Sequence, residues 1–157
     1  MAETIYCIDT SSILEWYVRT YPPTLLPKLP ERMAKLAAEG RLRAPRAVLD
    51  EIKAGDDCHK WVKSQPDLFV EESVDVQQVV KLLMAAHHNP EKPLKGISGA
   101  DPFVIAMAKC GGERWVVVCD EHAGSAEARK IPFVCGSEKI HCINFQQMMI
   151  SEKWTFT

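Results

Sequence analysis

Several signatures that would assign a chemistry at once are missing from this chain. Its six cysteines form no Cys-x-x-Cys pair, so a zinc ribbon lacks its main sign. There is no Gly-x-x-x-x-Gly-Lys phosphate loop, and no Asp-x-Asp follows the first apolar run. Both absences disfavour phosphate-handling enzymes of the phosphatase, receiver-like or nucleotide-loop kind. No apolar run approaches the length of a membrane helix, and the start lacks the charged and apolar stretches of a secretory signal. The expectation is a cytoplasmic protein with no membrane partner. Nor is there an excess of positive charge: 19 Lys and Arg face 21 Asp and Glu, for a net charge of −2. Any nucleic-acid binding must therefore use a local patch.

The composition is that of an ordinary globular protein, with 46% hydrophobic and 25% charged residues over 157 positions. That length suits one domain with a core that needs no disulfide staples. Residues 1–150 read as that domain and 151–157 as a tail. Cys7, Cys119, Cys135 and Cys142 lie in apolar, strand-like runs and read as buried, reduced thiols. Cys58-His59 and His141-Cys142 are the places where a redox or metal role would be sought.

Residues 4–9, around the apolar run Ile5-Tyr6-Cys7-Ile8, and the apolar run 115–119 have the pattern of short strands buried on both faces. Residues 42–44 and 68–70 are briefer strands, and 133–135 and 140–143 are weaker ones. Helical spacing predicts helices from Ser12 to Val18, over 27–39, 46–54, 58–64, 74–88 and 101–109, and a last one over 145–150. Residues 89–99, rich in proline and glycine, read as a loop. Strands alternating with helices predict an α/β fold, a three-layer α/β/α sandwich around a central, mostly parallel sheet of about five strands.

Acids cluster where such a fold puts its sites. Asp9 closes the first run, and Asp120 and Glu121 close the run over 115–119. Glu51 and Asp101 stand near the starts of two helices. The carboxyl ends of parallel strands open on one edge, and several carboxylates gathered there repel one another unless protonated or bridged by a cation. Each acid also has an ordinary explanation. Asp9 suits an Asx-turn or N-cap, although Ser11 or Ser12 could cap in its place. Asp101 before Pro102 suits a helix start, with Ser98 as a rival cap. Glu51 borders an apolar stripe, as a surface glutamate with a buried stem would. Asp120 and Glu121 suit a strand-end turn, and only one of them needs to face a site.

Four blocks together resemble the PIN domain, a small α/β metal-dependent nuclease. They are Ile8-Asp9-Thr10-Ser11-Ser12, Val48-Leu49-Asp50-Glu51-Ile52, Ala100-Asp101-Pro102-Phe103-Val104-Ile105-Ala106-Met107-Ala108 and Val116-Val117-Val118-Cys119-Asp120-Glu121. The segment Lys130-Ile131-Pro132-Phe133-Val134-Cys135 also resembles a bacterial PIN-like subgroup of uncharacterised, toxin-like proteins. By position the resemblance makes Asp9, Glu51 and Asp101 three metal-binding, catalytic acids and Ser11 a hydroxyl beside the pocket. The family commonly has Thr-x-Asp after the fourth strand. Here Cys119 takes the threonine's place, and the count puts Glu121 at the acid, with Asp120 kept as the alternative.

The resemblance implies a ribonuclease using Mg²⁺ or Mn²⁺, the toxin of a type II toxin–antitoxin pair. Its partners would be an RNA substrate, an antitoxin protein and a second copy of itself. A non-catalytic PIN-like module that binds RNA or protein is the rival. An acidic pocket needs cations nearby to hold phosphates. Residues 28–46 offer Lys28, Arg32, Lys35, Arg41, Arg43 and Arg46, with Arg43 and Arg46 as the substrate-binding candidates. A solvated helix face explains the same charges. Lys92, Lys95, Arg129 and Lys130 are further candidates. Trp16, Tyr17 and Trp61 read as core, and His87 and His88 as surface residues at a helix end.

Overall fold

A computed structural model describes residues 3–65, 67–87, 97, 99–122 and 129–156. The described chain forms a five-stranded, all-parallel sheet in the order β3-β2-β1-β4-β5, with helices on both faces. β1 (Ile5–Ile8) and β4 (Trp115–Val118) are the two central runs, paired from Ile5 with Trp115 to Ile8 with Val118. Their residues are almost wholly buried because both faces of the sheet are covered. β2 (Leu42–Pro45), β3 (Phe69–Val70) and β5 (Cys142–Ile143) flank them. This is the three-layer α/β/α sandwich that the alternation predicts.

α1 (Thr10–Leu14) runs into one turn of π-helix (Glu15–Arg19), followed by α2 (Leu29–Ala38), α3 (Arg46–Glu51) and α4 (Asp57–Lys63). α5 (Val74–His87), α6 (Asp101–Gly111) and α7 (Ile131–Ser137) occupy the later half, and α8 (Phe145–Ser151) follows β5. Right-handed crossovers put α1 to α4 on one face and α5 to α7 on the other, because the strand order runs outward from β1 to β3 and then returns to β4. On the first face Trp16, fully buried, stacks on Phe145 and meets Trp61 edge-on, with centroids 6.2 and 4.9 Å apart. α6 lies across β1, β2 and β4 on the other.

Several sequence expectations need correcting, and the helix expected over 46–54 ends at Glu51, with Ile52 as its C-cap in extended conformation. Residues 133–135 are not a strand but part of α7. Ile131, Val134 and Cys135 are its buried positions, at helical and not alternating spacing, and Pro132 sits in its first turn. The first helix begins at Thr10, earlier than Ser12, because Asp9 caps it. His87 is 4% exposed, not a surface residue: one ring nitrogen meets Glu138 at 3.0 Å and the other Arg129 at 3.2 Å. His88 and the expected loop over 89–96 lie outside the described residues, as do Lys92, Lys95 and the Ser98 cap. Residues after Ser151 join the body, with Trp154 and Phe156 against the core and Glu152 paired to Arg41.

Candidate functional site

The strand order reverses between β1 and β4, and α/β folds bind ligands outside the carboxyl ends at such a point. Pairing continues one residue past each strand. Asp9 N donates to Val118 O at 2.9 Å, and Cys119 N donates to Ile143 O at 2.9 Å. Asp9 and Cys119 therefore stand at the rim of the switch point. A cleft of about 500 Å³ opens there, walled by Asp9, Ser11, Glu51, Asp101, Asp120 and Glu121. The five acids expected from their separate positions in the chain thus line one concavity.

Asp9 is 2% exposed and serves two purposes. Its Oδ2 accepts from Ser11 N at 3.1 Å and from Ser11 Oγ at 2.7 Å, which is the N-cap bond of α1. The capping and site readings are therefore compatible, because Oδ1 is buried with no hydrogen-bond partner among the described residues. Burial pushes the Asp9 pKa up to about 6 against the Ser11 bonds, and the Glu121 charge adds to the rise. At neutral pH Asp9 is still largely ionised, so its charge stands in the cleft with no donor to Oδ1.

Asp120 and Glu121 separate clearly. The Asp120 carboxylate accepts from Ser12 Oγ and from Phe145 N at 3.2 Å, tying α1 to the start of α8. Burial raises its pKa, and those two bonds oppose the rise. Glu121 Oε2, by contrast, is buried with no partner among the described residues. The Cys119 sulfur accepts from Glu121 N at 3.4 Å and lies 3.6 Å from Ser11 Oγ. Asp120 N donates to Ser11 Oγ at 3.0 Å.

Glu51 is exposed at the C-terminal end of α3 and forms the opposite wall. Thr10 Oγ1 donates to its Oε1 at 2.7 Å, and Ala100 N approaches Oε2 at 3.5 Å. Gly99 makes that approach possible: its φ is +59°, and a Cβ there would stand 2.7 Å from Glu51 Oε2. Asp101 lines the cleft from the first turn of α6, where Ala100, not Asp101, is the capping residue.

Residues 6–156 match the family described as a domain of unknown function, DUF4411. The chain belongs to the DUF4411 family. No curated protein matches it. The family match spans every acid of the cleft, from β1 to the segment after α8.

In this DUF4411 chain neither of the two arginines expected to hold substrate lines the acidic cleft. Arg43 turns its guanidinium toward the end of α2, donating to Ala37 O and Leu42 O, both at 3.0 Å. That is the amino edge of the sheet, away from the acids, because the α2–β2 connection enters β2 there. Arg46 is paired with Glu71 at 3.3 Å and Asp50 at 3.7 Å and lines a neighbouring cleft. Sequence reasoning missed Thr10, Arg19 and His122, which also line the acidic cleft. Thr10 was visible as the residue after Asp9. Arg19 had no local signal, because the π-helical turn over Glu15–Arg19 sets where its side chain emerges.

The site fits a divalent cation in part. Two buried carboxylate oxygens without donors, Asp9 Oδ1 and Glu121 Oε2, are the donor set a hard ion prefers. Among the described residues, however, no group of three or more His, Cys, Asp or Glu side chains is placed to hold a metal ion. Magnesium characteristically uses one or two carboxylates and keeps several waters, so two acids meet its minimum.

Proposed function

We propose that this DUF4411 protein is a metal-dependent endoribonuclease that hydrolyses RNA phosphodiester bonds, acting as the toxin of a type II toxin–antitoxin pair. The observation that carries the reading is the pair of donor-free buried oxygens, Asp9 Oδ1 and Glu121 Oε2, in an acidic cleft at the switch point. An Mg²⁺ or Mn²⁺ ion held by those oxygens would lower the pKa of water and offset charge on the leaving oxygen. The chain's own contribution is positioning. Ser11 fixes Asp9 Oδ2 and leaves Oδ1 without a donor. The Cys119 sulfur holds the Glu121 backbone. Glu51, braced by Thr10, and Asp101 form the far wall that a substrate would face. The toxin role and a covering antitoxin or homodimer rest on the resemblance of the four sequence blocks.

One observation favours a second reading, a non-catalytic module that binds RNA or protein: the described acids do not converge as a set of three around a metal. Cleavage of labelled single-stranded RNA in Mn²⁺, Mg²⁺ or EDTA separates the two. The nuclease reading expects cleavage with metal only. Asp9→Asn and Glu121→Gln should each lose several kcal/mol of transition-state stabilisation, on the order of a thousandfold in rate. Asp120→Asn should retain most activity, because that carboxylate serves Ser12 and Phe145 N. Cleavage that survives EDTA or Asp9→Asn sinks the nuclease reading, and RNA binding without cleavage establishes the second.

A further inference from the structure

Beside the acidic cleft lies a second one of about 330 Å³, between α3 and α4, and Glu51 belongs to the walls of both. Its charged lining is mixed, with Arg46, Lys53 and Lys63 facing Asp50 and Glu51. Lys53 stands just beyond the end of α3, while His59 and Lys63 project from α4. His59 and Lys63 are four residues apart and so share one face of that helix, whereas Cys58 and Val62 are its buried positions. Arg46 and Asp50 also line the cleft but are paired with each other.

The two lysines differ from the arginines of the chain in one respect. Arg41 is engaged by Glu152 and Arg43 by the α2 carbonyls, while Arg32 donates to Thr155 O and sits over the Phe156 ring. Lys53 and Lys63 are exposed, and no ion pair or hydrogen bond engages either ammonium among the described residues. Two uncommitted cations in a concavity that shares a wall with a cleft of carboxylates form a charge step across Glu51. A polyanion lying across that step would be held on the basic side and repelled on the acidic side, except where a cation bridges it.

We propose that the α3–α4 cleft is the track for the sugar–phosphate backbone of a single-stranded nucleic acid, with Lys53 and Lys63 each taking a phosphate on one side of the acidic cleft. This rests on the nuclease reading for its direction, but the binding surface itself can be tested without catalysis. The groups are those that hold phosphates as point charges, and they touch no base-recognition element, so the grip is on the backbone and not on sequence.

The test is fluorescence anisotropy of a labelled twelve-residue oligouridine in EDTA, across a range of salt concentrations, for wild type, Lys53→Ala/Lys63→Ala and Lys35→Ala. Lys35 is the control because it lies on α2, paired with Glu39 and away from both clefts. The double variant should bind about tenfold more weakly, and its slope of log affinity against log salt should fall by about 1.4, the value for two lost phosphate contacts on a single strand. Lys53→Glu/Lys63→Glu should weaken binding further, and oligothymidine should respond like oligouridine. Unchanged affinity and slope in the double variant, an equal loss in Lys35→Ala, or no oligonucleotide binding by wild type overturns the proposal. Both lysines are exposed, so unchanged circular dichroism will verify that the variants fold. If wild type binds through these lysines yet never cleaves, the nuclease reading fails and the track stands. If wild type cleaves and the double variant keeps the same KM, the track fails alone.

Discussion

At the amino edge of the sheet, Arg41 donates to both oxygens of Glu152, at 2.8 and 2.6 Å, and its Nε donates to Thr4 O at 3.1 Å. The Tyr6 hydroxyl also donates to Glu152, whose carboxyl is held below its usual range by these bonds although burial works against it. At the carboxyl edge, a few residues along the same strand, Asp9 and Glu121 each keep an oxygen with no donor. The two edges use the same kinds of group in opposite ways. Where a buried charge finds its partner within the chain, its work is structural. Where it does not, the chain carries an electrostatic cost that only something from outside can relieve.

That contrast predicts opposite responses to removing a carboxylate. Glu152→Ala should be the more damaging change, because it removes the two-pronged partner of a guanidinium whose side chain is only 15% exposed, leaving it Glu3 and Thr4 O, and leaves the Tyr6 hydroxyl only Ser151 Oγ at 3.4 Å. Breaking one partner of such a pair costs about 3 to 4 kcal/mol, read as a lower denaturant midpoint, and should leave oligonucleotide binding in EDTA unchanged. A loss of under about 1 kcal/mol would show that the amino edge is no more than a surface ion pair.

Asp9→Asn should move stability the other way. The Asp9 pKa rises from 3.8 in the unfolded chain to about 6 in the folded one, so between those values the native state binds more protons. Stability then falls as pH rises through that window, and above it the full cost is present, at most about 3 kcal/mol. The asparagine keeps an oxygen for the Ser11 cap but has no charge to desolvate. It should therefore melt higher than wild type at pH 8, with the gain disappearing as pH drops toward 4. A variant less stable than wild type at pH 8 would show that the Asp9 charge is compensated in a way the geometry does not suggest.

The same contrast explains what could be read from the sequence. β1 and β4 were legible because strands buried on both faces must be apolar throughout, and the acids closing them were legible as breaks in those runs. α6 was legible from its spacing and its proline. The amino-edge pairing was not, because Arg41 and Glu152 stand 111 residues apart and only the completed sheet brings them together. For that reason the basic residues over 28–46 suggested a rim for phosphates, while the structure turns Arg43 to the end of α2 and Arg41 to Glu152. α7 was misread since a run of Phe133, Val134 and Cys135 suits either period, and only the burial of Ile131 decides between them. The choice between Asp120 and Glu121 also lay beyond local reading. It depends on α8, whose first amide claims Asp120.

The smallest expected effect tests how finely the carboxyl edge is tuned. Cys119 is 3% exposed, and its sulfur lies 3.9 Å from Asp9 Oδ2. Burial, followed by the Asp9 charge, pushes the Cys119 thiol up, so it sits there neutral and is a weak donor to the carboxylate. In Cys119→Thr a hydroxyl would occupy this corner and donate a stronger bond to the ionised form of Asp9, lowering the Asp9 pKa. The destabilisation of wild type between about pH 4 and 6 should then shrink by about 0.5 to 1 kcal/mol, partly offset at all pH values by the extra methyl in a closed site. Urea unfolding of the variant and wild type at pH 4 and pH 8 gives the comparison. If the difference between the two pH values is the same in both proteins, the sulfur does not tune Asp9, and burial with the Glu121 charge accounts for its raised pKa unaided.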